Sequence, residues 1–300
     1  MEEYQKYLDP KVLNKIGSLE LKARLIVEGY ISGLHKSPYH GFSVEFAQHR
    51  EYVPGDDIRH IDWKVYGKSD RYYIKQYEEE TNLISYFLVD SSASMQYSSG
   101  EMSKYEYASH IVAALSYLVL EQQDAAGLFL FDKEVKKILP ASSNPAHLKD
   151  IAHSLSSVVP SEKTTLGGVL HDICSRMRKR GLVVILSDFF DDVEKTLAGL
   201  RHFRHRKHDV ILFHILDPHE VHFPLQRTTL FEGLEEENLK ILANPRALRK
   251  AYLQEIQHFL RELKSGCIAN RIDYVQFTTD QPLDVALSAY LANRTKTARI

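Results

Sequence analysis

Three short segments carry oxygen-bearing side chains that could together hold a hard divalent cation. The first is Asp90-Ser91-Ser92-Ala93-Ser94, directly after the apolar run Ile84 to Val89. The second is Thr164-Thr165-Leu166-Gly167-Gly168, entering a helical pattern, and the third is Ser187-Asp188, directly after Leu182 to Leu186. Asp90, Ser92, Ser94, Thr164 and Asp188 then supply carboxylate, three hydroxyls and carboxylate. Mg²⁺, or Mn²⁺ or Ca²⁺ in its place, takes such oxygen ligands, and Mg²⁺ usually keeps several waters. Ser92 and Ser94 can bind it directly as neutral groups, which leaves the metal electron-poor and with a position open to a carboxylate from a partner protein. No general base is evident beside the set, so the chemistry suits recognition rather than bond breaking. Thr165 stands next to Thr164 and offers the same hydroxyl. A simpler reading makes Asp90, Ser94 and Thr164 helix caps that accept from free N–H groups, with no metal dependence of structure or binding.

The elements that must position these residues follow from periodicity. Ile84–Val89, Ala126–Phe131, Leu182–Ser187 and Val210–Leu216 read as buried strands, with Val135–Leu139 a short edge neighbour. Helical patterns run over 105–122, 145–158, 166–180 and 192–206. Helix, strand and helix close the chain near 245–265, 271–278 and 282–293. Near-continuous apolar strands alternating with helices imply an α/β fold, a doubly wound and mostly parallel sheet covered on both faces. In such sheets ligands collect beyond the carboxyl ends of the strands, where the Asp90 and Asp188 segments fall. The segment from Asp217 to Asn244 is acidic and aperiodic and reads as a surface crossing. This domain is expected over 82–300. Residues 1–81 form an N-terminal attachment: a helix from Pro10 to about Ile31, then a small β segment with a Pro54-Gly55-Asp56-Asp57 turn.

Composition bounds the function. Across 300 residues, 38 Lys and Arg face 40 Asp and Glu, a net charge of −2 that offers no global attraction to nucleic acid or anionic lipid. No run approaches the roughly 18–20 apolar residues of a membrane span, and the charged N-terminus lacks the apolar core of a secretion signal. The two cysteines, Cys174 and Cys267, suit a reducing compartment. A cytoplasmic protein with no nucleic-acid partner and no direct membrane span is expected.

The Asp90, Ser92, Ser94, Thr164, Asp188 series, in order and on the right elements, resembles the metal-ion-dependent adhesion site of von Willebrand factor A domains. That resemblance implies that Asp90 and Asp188 act through water, and its Thr-x-hydrophobic-Gly spacing favours Thr164. The preceding string Arg50-Glu51-Tyr52-Val53-Pro54-Gly55-Asp56-Asp57-Ile58-Arg59-His60-Ile61-Asp62-Trp63-Lys64 closely resembles the signature of the bacterial domain of unknown function 58 family. Members of that family join such a segment to a von Willebrand factor A-like domain. Its implied partner is a MoxR-type AAA+ ATPase, with the chain acting as an adaptor or chaperone-like factor. Physically, Arg50 and Arg59 can bind the carboxylates of Asp56, Asp57 and Asp62 bidentately and lock a small β unit, with Trp63 covering it. The same residues could instead form a partner-docking surface, or Arg50 and Arg59 a second anion site.

Other chemistry finds little support. No Gly-x-x-x-x-Gly-Lys-Ser/Thr loop or Gly-x-Ser-x-Gly elbow is present. A Mg-dependent phosphohydrolase with Asp90 as nucleophile is the enzymatic alternative, although the second Asp expected two residues on is Ser92. A structural domain with an inactive metal site is the other. His202, His205 and His208 read as a solvated basic helix end, and His214, His219 and His222 lack cysteine support for zinc.

Overall fold

The computed structural model describes residues 44–53, 61–69, 71–79, 83–100, 102–160, 165–232 and 240–281. The helix expected from Pro10, the turn at 54–57, Arg59, Thr164 and the helix expected near 282–293 lie outside them. The chain divides into two compact units, residues 31–82 and the remainder.

Within the smaller unit, strand β1 (Val44–Glu51) pairs antiparallel with β2 (Tyr73–Glu79), with a bulge between Phe46 and Gln48; helix α1 (Trp63–Ser69) lies between them in sequence. Asp62 starts the helix. Its buried carboxylate accepts from Lys64 N at 2.9 Å and Val65 N at 3.3 Å, so the helix's first free donors are satisfied locally. Tyr66 stacks on Tyr72 at 4.5 Å between centroids. Trp63 is 61% exposed and meets Tyr66 edge-on at 6.1 Å; apart from Asp62, the side chains of the lock it is expected to cover lie outside the described residues. The Arg50 side chain lies outside the described residues; its backbone pairs with Ile74.

The larger unit is built on a sheet of six strands. In chain order it contains β3 (Ile84–Asp90), α2 (Lys104–Glu121), β4 (Ala125–Phe131), β5 (Val135–Ser142), α3 (His147–Ser157), α4 (Leu166–Arg176) and β6 (Leu182–Ser187). There follow α5 (Val193–His205), β7 (Asp209–Leu216), the short α6 (Pro218–His222), a hairpin of β8 (Thr229–Glu232) and β9 (Lys240–Ala243), α7 (Pro245–Ala269) and β10 (Asp273–Thr278). The strand order is β10-β7-β6-β3-β4-β5, parallel throughout except for the antiparallel edge pair β4–β5. The α/β, mostly parallel expectation holds. Alternate residues of β3 feed two cores: Phe87 and Val89 pack with α2, Tyr86 and Leu88 with α4 and α5. This is why the central strands read as continuous apolar runs. Gly181 enters β6 where a Cβ would strike the carbonyl of Ile84, so close approach of β6 to β3 requires glycine there.

Two expectations are corrected. The segment after Asp217 is not a featureless crossing: it opens with a capped helix and continues into a hairpin. His208 is not solvated; it is buried edge-on between the rings of Tyr86 and Phe203. No helix among the described residues is long and apolar enough to cross a membrane.

Candidate metal centre at the carboxyl end of the sheet

After β3 the chain runs outward to β4 and β5, then returns to the other side of β3 as β6. The strand order therefore reverses between β3 and β6, and the crevice beyond their carboxyl ends is the switch point of the fold. Asp90 ends β3, and Ser187-Asp188 ends and follows β6. Their register, Val89 opposite Leu186, sets Asp90 beside Ser187. The Ser187 hydroxyl donates to Asp90 Oδ2 at 2.5 Å, and Ser92 N donates to Asp90 Oδ1 at 2.9 Å. The chain then turns through a single 3₁₀ turn, Ala93–Gln96, which brings Ser94 back over the strand end. Ser92 Oγ and Ser94 Oγ lie 3.1 Å apart, and the Ser94 hydroxyl hydrogen bonds the Asp188 carboxylate. Phe190 N donates to Asp188 Oδ1 at 3.2 Å.

Asp90, Ser92, Ser94 and Asp188 are thus brought together. Thr164 lies outside the described residues. Thr165, which precedes α4, makes no side-chain cap; Leu166 N is instead satisfied by Asp191 Oδ2 at 2.7 Å. Asp90 does accept a local N–H, as the capping alternative requires, but its second oxygen is turned to β6.

Three further residues complete the site. Lys104, the first residue of α2, sends its ammonium to Asp188 Oδ2 and to Glu220 Oε1, each at 2.6 Å, and is itself fully buried. The rings of Tyr97 and Phe190 flank it at 5.9 and 5.1 Å. Glu220 is held in turn by Asp217 N, which donates to Oε2 at 2.8 Å, the second half of a capping box at α6. Asp217 also accepts from Ser99 N at 2.8 Å, tying the loop after β3 to the loop after β7. Lys104 and Glu220 escape a reading of the sequence for oxygen ligands. Their signals were the two capping boxes, Ser103-x-x-Glu106 and Asp217-x-x-Glu220, which fix where both side chains start.

The electrostatics are uneven. Burial, and then the charge of Asp188, push Asp90 up to about 7 against the hydrogen bonds from Ser187 and Ser92. Burial acts on Asp188 in the same sense, but the Lys104 ammonium and the Ser94 and Phe190 donors hold its carboxyl below the usual range. Burial opposes the charge of Lys104, and the two adjacent carboxylates more than offset it, keeping the ammonium above the ordinary lysine range. Burial raises Glu220 in spite of that ammonium. The Lys104 ammonium thus serves two carboxylates, Asp188 and Glu220. The two carboxylates and two hydroxyls of Asp90, Asp188, Ser92 and Ser94 fit a hard divalent cation in donor type.

The family model for the protein of unknown function DUF58 matches residues 48–259. An uncharacterised protein of Mycobacterium tuberculosis is 26% identical over 223 residues, 72% of this chain and 68% of its own. Of solved structures, the conserved hypothetical protein BatB from Bacteroides thetaiotaomicron is similar at a TM-score of 0.48 and 15% identity, over 71% of this chain and 99% of that one. The SpRpn10 VWA domain is similar at 0.40 and 11%, over 71% and 95%. The matched segment runs from the β1 strand of the small unit through both strand-end motifs to the middle of α7, and the chain belongs to the DUF58 family.

Proposed function

We propose that this chain is a non-enzymatic protein-interaction module whose metal-ion-dependent adhesion-type site takes Mg²⁺ and, through it, an acidic side chain of a partner protein. The observation that supports this most is the convergence of Asp90, Ser92, Ser94 and Asp188 at the switch point. Bound there, the cation would supply a Lewis-acidic position for a carboxylate. Ser92 and Ser94 are the neutral ligands. Asp90, gripped by Ser92 N and Ser187 Oγ, orients the 3₁₀ turn and serves as an anchor rather than a nucleophile. Asp188 closes the opposite side, and Thr164 joins the set as the family spacing implies.

The partner that the family resemblance implies is a MoxR-type AAA+ ATPase, with the chain as adaptor or chaperone-like factor. The test is co-sedimentation of the full chain with a purified MoxR-type ATPase in Mg²⁺ or in EDTA. Binding should be lost in EDTA and in Asp90→Ala, while circular dichroism of the variant stays that of a folded α/β protein. Binding indifferent to both treatments would remove the metal from the mechanism. Turnover of a generic phosphoester panel in Mg²⁺ that vanishes in Asp90→Ala would overturn the non-enzymatic reading.

A further inference from the structure

We infer that Lys104 is an internal counter-cation that competes with the divalent metal for Asp188 and so keeps the site's affinity for free metal low. The inference rests on the metal-site reading above. Lys104 is placed by the start of α2: its own N–H donates to the Tyr97 carbonyl at 3.2 Å, closing the loop that leaves the site, and Ser103 caps the helix immediately before it. From that fixed base the side chain reaches, fully buried, between one site carboxylate and one carboxylate outside the donor set. Asp188 Oδ2 is therefore taken by an ammonium at 2.6 Å, while Oδ1 accepts from Phe190 N. A metal held by Asp188, directly or through water, would share that carboxylate with a positive charge already seated on it, and like charges at such range in a buried site repel strongly.

Glu220 makes the arrangement two-sided. Held by the α6 capping box, it offers Lys104 a second partner that does not depend on Asp188. Metal binding then draws Asp188 toward the cation and leaves the ammonium on Glu220; without metal, Lys104 spans both. A partner's carboxylate would restore the negative charge that Lys104 has cancelled, so metal and partner should bind together better than either binds alone.

Isothermal titration with MnCl₂ and MgCl₂, together with thermal melts, on the full-length chain tests this. Lys104→Met should bind Mn²⁺ at least ten-fold more tightly than the parent, with a lower metal-free Tm and a larger Tm rise on adding Mn²⁺. Glu220→Gln, which commits Lys104 to Asp188, should bind Mn²⁺ several-fold more weakly. A Lys104→Met chain that folds only when Mn²⁺ is present would count as the same result; one that folds in neither condition leaves the decision to the sign of the Glu220→Gln change. Unchanged or weaker Mn²⁺ binding by folded Lys104→Met, or tighter binding by Glu220→Gln, would overturn the inference while leaving the metal site standing. Absence of binding in both the parent and Lys104→Met would instead overturn the metal site itself. Binding by Lys104→Met alone would uphold the competition and remove the metal from the parent's function.

Discussion

Asp90 and Asp188 stand at the same ends of neighbouring parallel strands, both buried and both bonded by a serine hydroxyl and a backbone N–H, yet their ionisation is driven in opposite directions. Burial raises each of them. What separates them is Lys104, whose ammonium sits 2.6 Å from Asp188 Oδ2. The contrast teaches that strand-end geometry alone does not decide the charge of a carboxylate in this crevice; the side chain that arrives from α2 does. It also means that the Asp188 half of the candidate centre carries its own counter-cation in Lys104.

The largest way to break the contrast is to remove the ammonium. Lys104→Met leaves Asp188 and Glu220 buried without their cation and should cost about 3–5 kcal/mol of metal-free stability, as breaking one side of a buried ion pair does. Urea denaturation in EDTA measures it, and a loss below about 1 kcal/mol would mean the pair contributes little at this corner.

Asp90→Asn acts on the other half, with a smaller effect of opposite sign. Because the folded carboxyl titrates near 7 and the unfolded one near 3.8, the folded state keeps a proton that the unfolded state has lost between those values. Stability from this group therefore falls as pH rises through that window, and the cost is complete above 7. The amide abolishes that slope. In EDTA at pH 8 the variant should be more stable than the parent by on the order of 2 kcal/mol, and no more stable at pH 4. That is about half of what the full shift implies, because the neutral amide accepts more weakly from Ser187 and Ser92. A gain equal at both pH values would show that packing, not charge, is responsible.

Asp188→Asn sharpens the comparison by asking how much of Asp90's behaviour comes from its neighbour. Removing that negative charge, and freeing the positive one beside it, should move the Asp90 carboxyl downward by about one pKa unit, or ~1.4 kcal/mol. Carbon NMR of the Asp90 carboxyl across a pH series reads this directly. A titration that stays near 7 would assign the whole shift to burial.

The same contrast explains what could be read from the residues alone. Asp90, Ser92, Ser94 and Asp188 were legible because the strands that carry them are apolar on both faces, so their ends are unambiguous, and parallel neighbours bring those ends to one edge. Lys104 was not, because its position depends on how the loop from Tyr97 closes and on the tilt of α2, neither of which leaves a periodic trace. Glu220 was hidden in a stretch whose acidity suggested exposure, although Asp217-Pro218-His219-Glu220 has the spacing of a helix start. In the small unit, the helix-starting role of Asp62 was not read from the sequence, which offered it as a partner for arginine; the Arg50 and Arg59 side chains lie outside the described residues. The backbone that Asp62 starts uses its carboxylate, since a helix's leading N–H groups are the nearest donors.

The smallest predicted effect comes one strand further out. His214 sits inside β7, its Nδ1 2.8 Å from the Tyr274 hydroxyl and its ring edge-on to those of Phe189 and Phe259. Burial drives it down to about 4; the Asp188 charge and a backbone bond at Asp188 resist that, and Lys104 adds to it. Here the unfolded chain binds a proton that the folded one refuses between about 4 and 6.5, so stability rises with pH across that window and is lost on acidification. At pH 5.5 the cost is about 1 kcal/mol relative to pH 7.5. His214→Phe keeps the ring in place and removes the proton site. It loses the Tyr274 bond at every pH, so the readout is the difference between the two pH values rather than either stability alone. That difference should shrink by about 1 kcal/mol in the variant. An unchanged difference would mean that the acid response of this half of the sheet belongs to Asp188 and Glu220, and that the contrast between the two strand ends extends no further than the crevice.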